Sequence, residues 1–149
     1  MPKPSEGKLL YHITKTDNMP SILEHGLLPR SDVKKNGYSF SDIADQSILA
    51  DREKHKSPLS QYVPFHFYPK TPFDGDVCEK YGAKNMTIIA IKRELHKTDS
   101  FSIIPTHPLH QDKPEIFPYE DGFDKVQWGI LDDRDNRDYS DPEIKNVTM

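Results

Sequence analysis

A strand that leads directly into a short helix opens the chain, and no other stretch constrains the fold as strongly. Residues 9–14 alternate with the period of two that is typical of a β-strand. Residues 17–26 are typical of a short helix, with a proline in the first turn and Gly26 suited to the left-handed position after the last turn. The first N–H groups of this helix can be capped by either of two polar side chains, Asp17 and Asn18.

His12 and Thr14 share one face of this strand, immediately before the helix. Two polar side chains in such a position are suited to binding a polar ligand. The structural alternative is a half-buried histidine whose hydrogen bonds are satisfied within the protein. The residues by themselves leave both interpretations open.

One domain is expected from 149 residues. Cys78 is the single cysteine, which excludes an internal disulfide bond and a cysteine-rich metal site. His107 and His110 lie close together, but no third and fourth ligand follows at a recognised spacing, so we predict no metal. No stretch approaches the roughly 20 apolar residues of a membrane span, and the N-terminus lacks the apolar core of a signal peptide. We therefore expect a cytoplasmic protein that does not enter a membrane.

The charge of the chain is unevenly distributed. A net charge of −4 argues against a general nucleic-acid binder. Residues 1–110 carry fifteen Lys and Arg against thirteen Asp and Glu, whereas residues 111–149 carry five against eleven. The body is therefore mildly basic and the tail acidic. Four lysines flank the second predicted helix and are suited either to phosphate contacts or to a solvated helix face: Lys34, Lys35, Lys54 and Lys56.

The remaining sequence predicts an α+β fold with a small split β-sheet and with helices near the N-terminus. Strands are expected over residues 86–92, which we predict to be buried, and 100–105, with an aromatic, β-prone segment over 62–68. Helical segments are expected over residues 42–55, 76–81 and 93–97, and a short ordered element over 126–131. Loops are expected over residues 30–41, 70–75 and 111–125. Arg52 lies at the edge of the apolar stripe of the 42–55 helix, where it either reaches toward a cleft or pairs with a neighbouring carboxylate.

Two blocks of the sequence resemble the DarT family, whose members are DNA ADP-ribosyltransferase toxins. The first block is Tyr11-His12-Ile13-Thr14 with Asn18 and residues 22–28. The second block is residues 41–48, Arg52 and residues 62–72, and a weaker third block covers 121–128. The order and the spacing of the first two blocks also match the family, and with the third block the resemblance touches most of the chain.

The resemblance implies an ADP-ribosyltransferase-like fold and NAD-dependent transfer of ADP-ribose onto a base of single-stranded DNA. It also implies a toxin–antitoxin pair in which the antitoxin removes ADP-ribose, and we expect a monomer. By the same resemblance, Arg52 would act at the reacting end of NAD. We interpret it as an electrostatic stabiliser and positioner, because an arginine is a poor base. The residues that would bind NAD are His12, Ile13, Thr14, Ser21, Pro29 and Arg52.

Two positions depart from the family pattern. Lys70 stands where the family has an arginine, which keeps the charge and loses the bidentate geometry. The family's catalytic glutamate would fall just past Met149, and Glu143 does not match its motif position. We therefore expect residues 1–149 to form a single ADP-ribosyltransferase-like domain that ends just before that glutamate. Such a chain is either a part of a longer protein or an inactive relative.

Three other functions are open at this point. The acceptor of an NAD-dependent transferase can be RNA, protein or water instead of DNA, which the acidic tail mildly favours. A non-catalytic binding module would keep the nucleotide cleft and lack the glutamate. A small α+β domain without an NAD site is the structural alternative.

Overall fold

The computed structural model describes residues 3–38, 40–41, 61–105 and 115–133. In chain order, the helices and strands are β1 (Leu9–Lys15), α1 (Met19–His25), α2 (Arg30–Asn36), α3 (Pro72–Tyr81), β2 (Met86–Lys92), β3 (Ser102–Ile103), β4 (Phe117–Pro118), α4 (Tyr119–Phe123) and α5 (Trp128–Asp132). Short 3₁₀ turns lie at Pro4–Glu6, Thr16–Asn18, Ala83–Asn85 and Arg93–Lys97. The predictions for the 42–55 helix with Arg52, and for His107 and His110, lie outside the described residues.

β1 and β2 form the larger, two-stranded sheet. β1 pairs antiparallel with β2 along its whole length, so that His12 is opposite Ile89. The other edge of β1 carries one bridge, in which Tyr11 and His66 exchange backbone hydrogen bonds of 2.9 and 2.8 Å. The strand that carries His12 is therefore held from both sides.

A second, smaller sheet consists of β3 and β4, with Ile103 opposite Phe117. The core beside it is built from Tyr68, Ile103, Val126 and Leu131, with Phe67, Tyr119, Phe123 and Trp128 packed around them. Gly122 of α4 lies so close to β3 that an added Cβ would be 2.7 Å from the Cβ of Ile103. Helices around two separate small sheets confirm the predicted α+β class with a split sheet.

Arg93 connects the larger sheet to the aromatic segment. Its Nε donates to the Leu9 carbonyl at 2.9 Å, and its Nη2 donates to the Phe67 carbonyl at 2.8 Å. The guanidinium also lies over the Phe67 ring, 4.9 Å from its centre. Near the N-terminus, the backbone N–H and the hydroxyl of Ser5 donate to the two carboxylate oxygens of Asp132. The start of the chain is thereby fastened to α5.

α3 begins earlier than the sequence predicts, and the predicted loop over 70–75 is wrong. Thr71 and Asp74 form a capping box, in which each side chain accepts the backbone N–H of the other at 3.1 Å. Pro72 occupies the first helical turn, where its missing N–H has no cost. Lys70 has a φ of +59°, a left-handed conformation that turns the chain from the aromatic segment into α3. Gly82 ends the helix as predicted.

The predicted loop over 30–41 is also wrong, because residues 30–36 form α2. Gly37 ends this helix with a φ of +67°, so the turn signal that the lysines and Gly37 give marks a helix end and not a loop. The acidic stretch 111–125 likewise contains β4 and α4 in its described part. Short helices of this kind depend on tertiary packing more than on local sequence.

Three strand predictions are corrected in extent or burial. Residues 62–68 form a single bridge, since Pro64 has no N–H to extend the ladder. The 100–105 strand is limited to β3, residues 102–103. β2 is where predicted but is only half-buried, with Ile88 43% exposed. The predictions for β1 and α1 are confirmed, and the short helix predicted over 93–97 is a 3₁₀ helix.

Within the described ranges, no helix is long and apolar enough to cross a membrane. The same ranges contain no group of three His, Cys, Asp or Glu side chains arranged to hold a metal ion.

Candidate functional site

His12 faces the segment that leads into α3. Its Nδ1 lies 2.6 Å from the carbonyl oxygen of Pro64. A carbonyl oxygen can only accept, so Nδ1 carries the proton and donates it. The imidazole ring also lies 5.5 Å from the ring of Phe65, centre to centre. Nε2 is therefore the nitrogen through which His12 can meet a ligand.

The His12 imidazole is neutral at neutral pH. Burial lowers its pKa below the ordinary value of 6.5, and this effect exceeds the opposing influence of the Pro64 carbonyl and the Asp74 carboxylate. A neutral ring with its proton on Nδ1 has a lone pair on Nε2. His12 is thus an acceptor for an N–H or O–H group of a ligand.

The backbone of Ile13 faces the edge of β1 that lies away from β2, and the residue itself is only 6% exposed. Successive residues of an antiparallel strand direct their N–H and C=O groups to opposite edges. Because Tyr11 bonds to His66 on one edge, Ile13 faces that edge as well. The residue that would stand opposite is Pro64, which has no N–H. Among the described residues, neither the N–H nor the C=O of Ile13 has a hydrogen-bond partner.

Thr14 and Asn18 form a buried pair at the end of β1, each only 3% exposed. Asn18 Nδ2 donates to the Thr14 hydroxyl at 3.1 Å. The same amide holds the backbone of Ser41 on both sides, donating to its carbonyl at 2.9 Å and accepting its N–H at 2.8 Å. Asn18 consequently makes no capping hydrogen bond to α1, which corrects that prediction.

Described residues on either side of the 42–60 stretch contact the candidate site. On one side, Lys15 Nζ donates to the Ser41 hydroxyl at 2.9 Å and lies 4.1 Å from the centre of the Tyr81 ring. On the other side, Pro64 is held by His12. Ser41 and Pro64, two described residues on either side of Arg52 in the sequence, therefore lie beside the end and the middle of β1.

Ser21 and Pro29 lie on the two helices that follow β1. Ser21 is half-buried in the first turn of α1, and Pro29 immediately precedes α2, where its carbonyl accepts two N–H groups of that helix. The rings of His25 and Tyr38 stack with their centres 3.7 Å apart and their planes at 7°. This contact holds the end of α1 next to the end of α2. The structure thus brings three of the predicted NAD-binding residues together on β1 and places these two on the elements next along the chain.

Asp74 is a residue of the site that the sequence patterns missed. It is 6% exposed, and it is near enough to His12 for its charge to act on the imidazole. Its Oδ2 caps α3, whereas Oδ1 is buried and has no hydrogen-bond partner in the described structure. The capping-box spacing of Thr71 and Asp74 was the available signal, since it fixes where the carboxylate lies.

Comparison with known proteins gives consistent matches. A family model described as ssDNA thymidine ADP-ribosyltransferase, DarT, matches residues 11–149. A DNA ADP-ribosyl transferase–DNA ADP-ribosyl glycohydrolase fusion protein of Thermosipho africanus is 28% identical over 99 residues, covering 63% of this chain and 26% of that protein. A DNA ADP-ribosyl transferase of Escherichia coli is 23% identical over 148 residues, covering 90% of this chain and 67% of that protein. The chain thus spans about a quarter of the first relative and about two thirds of the second.

A solved structure shares the fold. Thermosipho africanus DarTG in complex with ADP-ribose matches with a TM-score of 0.70 and 23% sequence identity, over 87% of this chain and 37% of that chain. This similarity confirms the predicted fold.

Proposed function

The chain belongs to the DarT family of ssDNA thymidine ADP-ribosyltransferases, and on that premise we propose that it transfers ADP-ribose from NAD to thymidine in single-stranded DNA. Two relatives carry DNA ADP-ribosyl transfer in their names, and the structural relative contains ADP-ribose. Both observations support NAD as the co-substrate. The acceptor base must be unstacked to reach a reacting group, which favours single-stranded DNA.

The observation that carries this proposal is the backbone N–H and C=O of Ile13, which have no partner among the described residues, beside a neutral His12. The carboxamide of nicotinamide has an acceptor oxygen next to N–H donors. The N–H and C=O of one strand residue present the complementary pair at a sheet edge. We assign the nicotinamide amide to Ile13 and a ribose hydroxyl to Nε2 of His12. Binding of this kind orients the nicotinamide group relative to β1.

The other predicted NAD-binding residues surround this pair. Ser21 and Pro29, on α1 and before α2, line the adenosine side in this proposal. Thr14 is buried and supports the site through its hydrogen bond from Asn18. Its contribution is the position of the strand end and of Ser41.

The chemistry requires stabilisation of a cationic sugar. Breaking the bond from nicotinamide to ribose develops positive charge at the anomeric carbon, as in glycoside cleavage. We propose that Arg52 binds the phosphates near the reacting end and positions the acceptor base. A carboxylate on the sugar 2-hydroxyl would complete such a site, and the family resemblance predicts that glutamate just past Met149.

The test is incubation of the protein with NAD and single-stranded oligonucleotides, with and without thymidine, followed by mass spectrometry of the DNA. A longer form encoded by the parent gene is assayed in parallel, because the predicted glutamate would lie there. We expect nicotinamide release and an ADP-ribose adduct on the thymidine-containing DNA. His12→Ala should abolish both, whereas His96→Ala, which removes a ring that stacks on Tyr119 away from the site, should not. Intact NAD and unmodified DNA with both forms would contradict the proposal.

A second candidate keeps NAD and changes the acceptor to RNA, protein or water. The acidic composition of residues 111–149 favours it, because negative charge repels a DNA backbone. Labelled NAD offered to DNA, RNA and protein together separates the acceptors. Label in RNA or protein but not in DNA would support this candidate.

The name of the fused relative suggests how the modification is reversed. That protein combines a DNA ADP-ribosyl transferase with a DNA ADP-ribosyl glycohydrolase. We propose that this chain acts as a monomeric toxin in the cytoplasm and that an antitoxin removes ADP-ribose from its DNA product. A glycohydrolase that restores unmodified DNA after the assay above is the expected partner.

A further inference from the structure

The ring of Tyr81, at the end of α3, holds two lysine ammonium groups close together. Nζ of Lys15 lies 4.1 Å from the ring centre, and Nζ of Lys80 lies 5.1 Å from it. The ion pairs among the described residues involve other side chains, and the exposed neighbours Asp17 and Glu79 pair with neither lysine. Two cations that share a ring and have no carboxylate partner repel each other, so they favour an anion from outside the protein.

This pair of cations lies beside the candidate site. Lys15 is the last residue of β1 and follows His12 by three residues, which is about 10 Å along a strand. Its Nζ also donates to the hydroxyl of Ser41, whose backbone is held by Asn18. A distance of about 10 Å is the length of roughly three stacked nucleotides. A nucleic-acid strand that places one base at His12 can therefore extend to Lys15.

Phe40 adds an exposed aromatic ring next to the same residue. It directly precedes Ser41, and its side chain is 44% exposed. Consecutive Cα atoms are about 3.8 Å apart, so Phe40 begins close to the hydroxyl group that Lys15 binds. Proteins that bind single-stranded nucleic acid combine cations for the phosphates with aromatic rings on which bases stack. Both components are present at this end of β1.

We propose that Lys15, Lys80 and Phe40 form a surface that binds the DNA strand next to the thymidine to be modified. The two ammonium groups bind backbone phosphates, and the Phe40 ring stacks on an unpaired base. Tyr81 is a positioning residue, because its ring keeps both ammonium groups in place. Phosphate contacts carry no sequence information, so this surface positions the strand and does not select its sequence. The inference rests on the proposed function, because it takes single-stranded DNA as the acceptor.

The salt dependence of DNA binding tests the two lysines. Fluorescence anisotropy of a labelled single-stranded oligonucleotide that contains thymidine gives the affinity at a series of salt concentrations. Each phosphate contact contributes about 0.7 to the slope of log affinity against log salt for a single strand. We expect Lys80→Gln and Lys15→Gln each to bind more weakly and to lower the slope by about that amount. Thermal unfolding confirms that each variant is folded.

Lys125→Gln is the matched control for the loss of a lysine. Its Nζ also lies over an aromatic ring, 5.0 Å from the centre of Phe117, but beside the smaller sheet. This variant should keep the wild-type affinity and slope. An equal fall of the slope in Lys125→Gln and Lys80→Gln would overturn the proposal, because any lysine would then have the same effect.

Phe40→Leu tests the stacking contact separately. Stacking releases no counterions, so this variant should bind the oligonucleotide about fivefold or more weakly with an unchanged slope. Wild-type affinity of folded Phe40→Leu would overturn the role of the ring. If Phe40→Leu does not fold, the slopes of the two lysine variants decide.

Three further outcomes would also overturn the inference, and each has a different meaning. A wild type that modifies DNA, with wild-type slopes in both lysine variants, would overturn the surface and leave the proposed function in place. Weaker NAD binding by Lys15→Gln in calorimetry, with unchanged DNA binding, would assign its ammonium group to the phosphates of NAD. Poly-glutamate binding that is lost in Lys80→Gln, without a change in DNA binding, would indicate an acidic protein partner. A wild type that neither binds nor modifies DNA would overturn the proposed function as well.

Discussion

Replacing Asn18 with alanine removes the connection between β1 and Ser41. The Asn18 amide makes three hydrogen bonds, of 3.1, 2.9 and 2.8 Å, to the Thr14 hydroxyl and to both backbone groups of Ser41. A neutral hydrogen bond contributes about 1 kcal/mol net, and a buried partner that is left unsatisfied adds to the loss. We therefore expect Asn18→Ala to lower the free energy of unfolding by about 3 kcal/mol. That is a large part of the roughly 5–15 kcal/mol of an ordinary domain.

Equilibrium unfolding in urea measures this loss directly. The midpoint should fall while the denaturant dependence stays the same, because the change does not alter the surface exposed on unfolding. Asn36→Ala is the matched control, since its exposed side chain bonds, among the described residues, only to the carbonyl of Asp32 within α2. Its effect should stay within about 0.5 kcal/mol.

The same variant links stability to ligand binding. Ser41 precedes the stretch that contains Arg52, so its release should also weaken NAD binding without the removal of any contact that we assign to NAD. A loss of unfolding free energy equal to that of Asn36→Ala would refute the reasoning. It would mean that the three hydrogen bonds do not hold Ser41 in solution.

Three further predictions concern other parts of the fold. Burial lowers the pKa of His12 below 6.5, so the unfolded state binds more protons and the free energy of unfolding should fall as the pH drops from about 7 to 5. Urea unfolding of His12→Gln should lack this part of the pH dependence. Equal pH dependence in both proteins would contradict the prediction. Gly122→Ala should lower the free energy of unfolding by about 1–3 kcal/mol, because the new Cβ would lie 2.7 Å from Ile103. Gly75→Ala should raise it by up to about 1 kcal/mol, because a Cβ at this position of α3 meets no atom within 4 Å. Urea midpoints that move in the same direction would refute this contrast. Arg93→Lys should lower the unfolding free energy by about 2 kcal/mol in the same assay, since one ammonium cannot reach both carbonyls that the guanidinium binds, and an unchanged midpoint would show that these bonds add nothing.

The sequence predicts the features of this site that depend on local pattern. Alternation over residues 9–14 is enough to place His12 and Thr14 on one face of a strand, and a proline and a glycine are enough to bound α1. The cap of α1 is mispredicted because Ser41, 23 residues further on, binds the Asn18 amide instead. A local sequence pattern does not show that a distant residue will bind the side chain expected to cap the helix.

Two other features depend on distant parts of the chain. Among the described residues, the backbone groups of Ile13 have no partner because Pro64 lies opposite them. The sequence pattern does not show which residue lies opposite. The unpartnered oxygen of Asp74 follows from burial, which is set by packing around α3. The start of α3 could have been predicted from the sequence, since Thr71, Pro72 and Asp74 form the pattern of a helix N-terminus. The turn-forming residues around them favoured a loop instead.

The pairing of β1 with β2 determines when the site can form during synthesis. The closest pair in the ladder, Lys15 and Met86, is separated by α1, α2 and α3. Closing so long a segment is entropically costly, and contacts of high sequence separation slow folding. β1 can therefore pair with β2 along its whole length only after Lys92, the last residue of β2, has left the ribosome. We expect a nascent chain arrested ahead of β2 to lack NAD binding, because its first strand has no sheet to join.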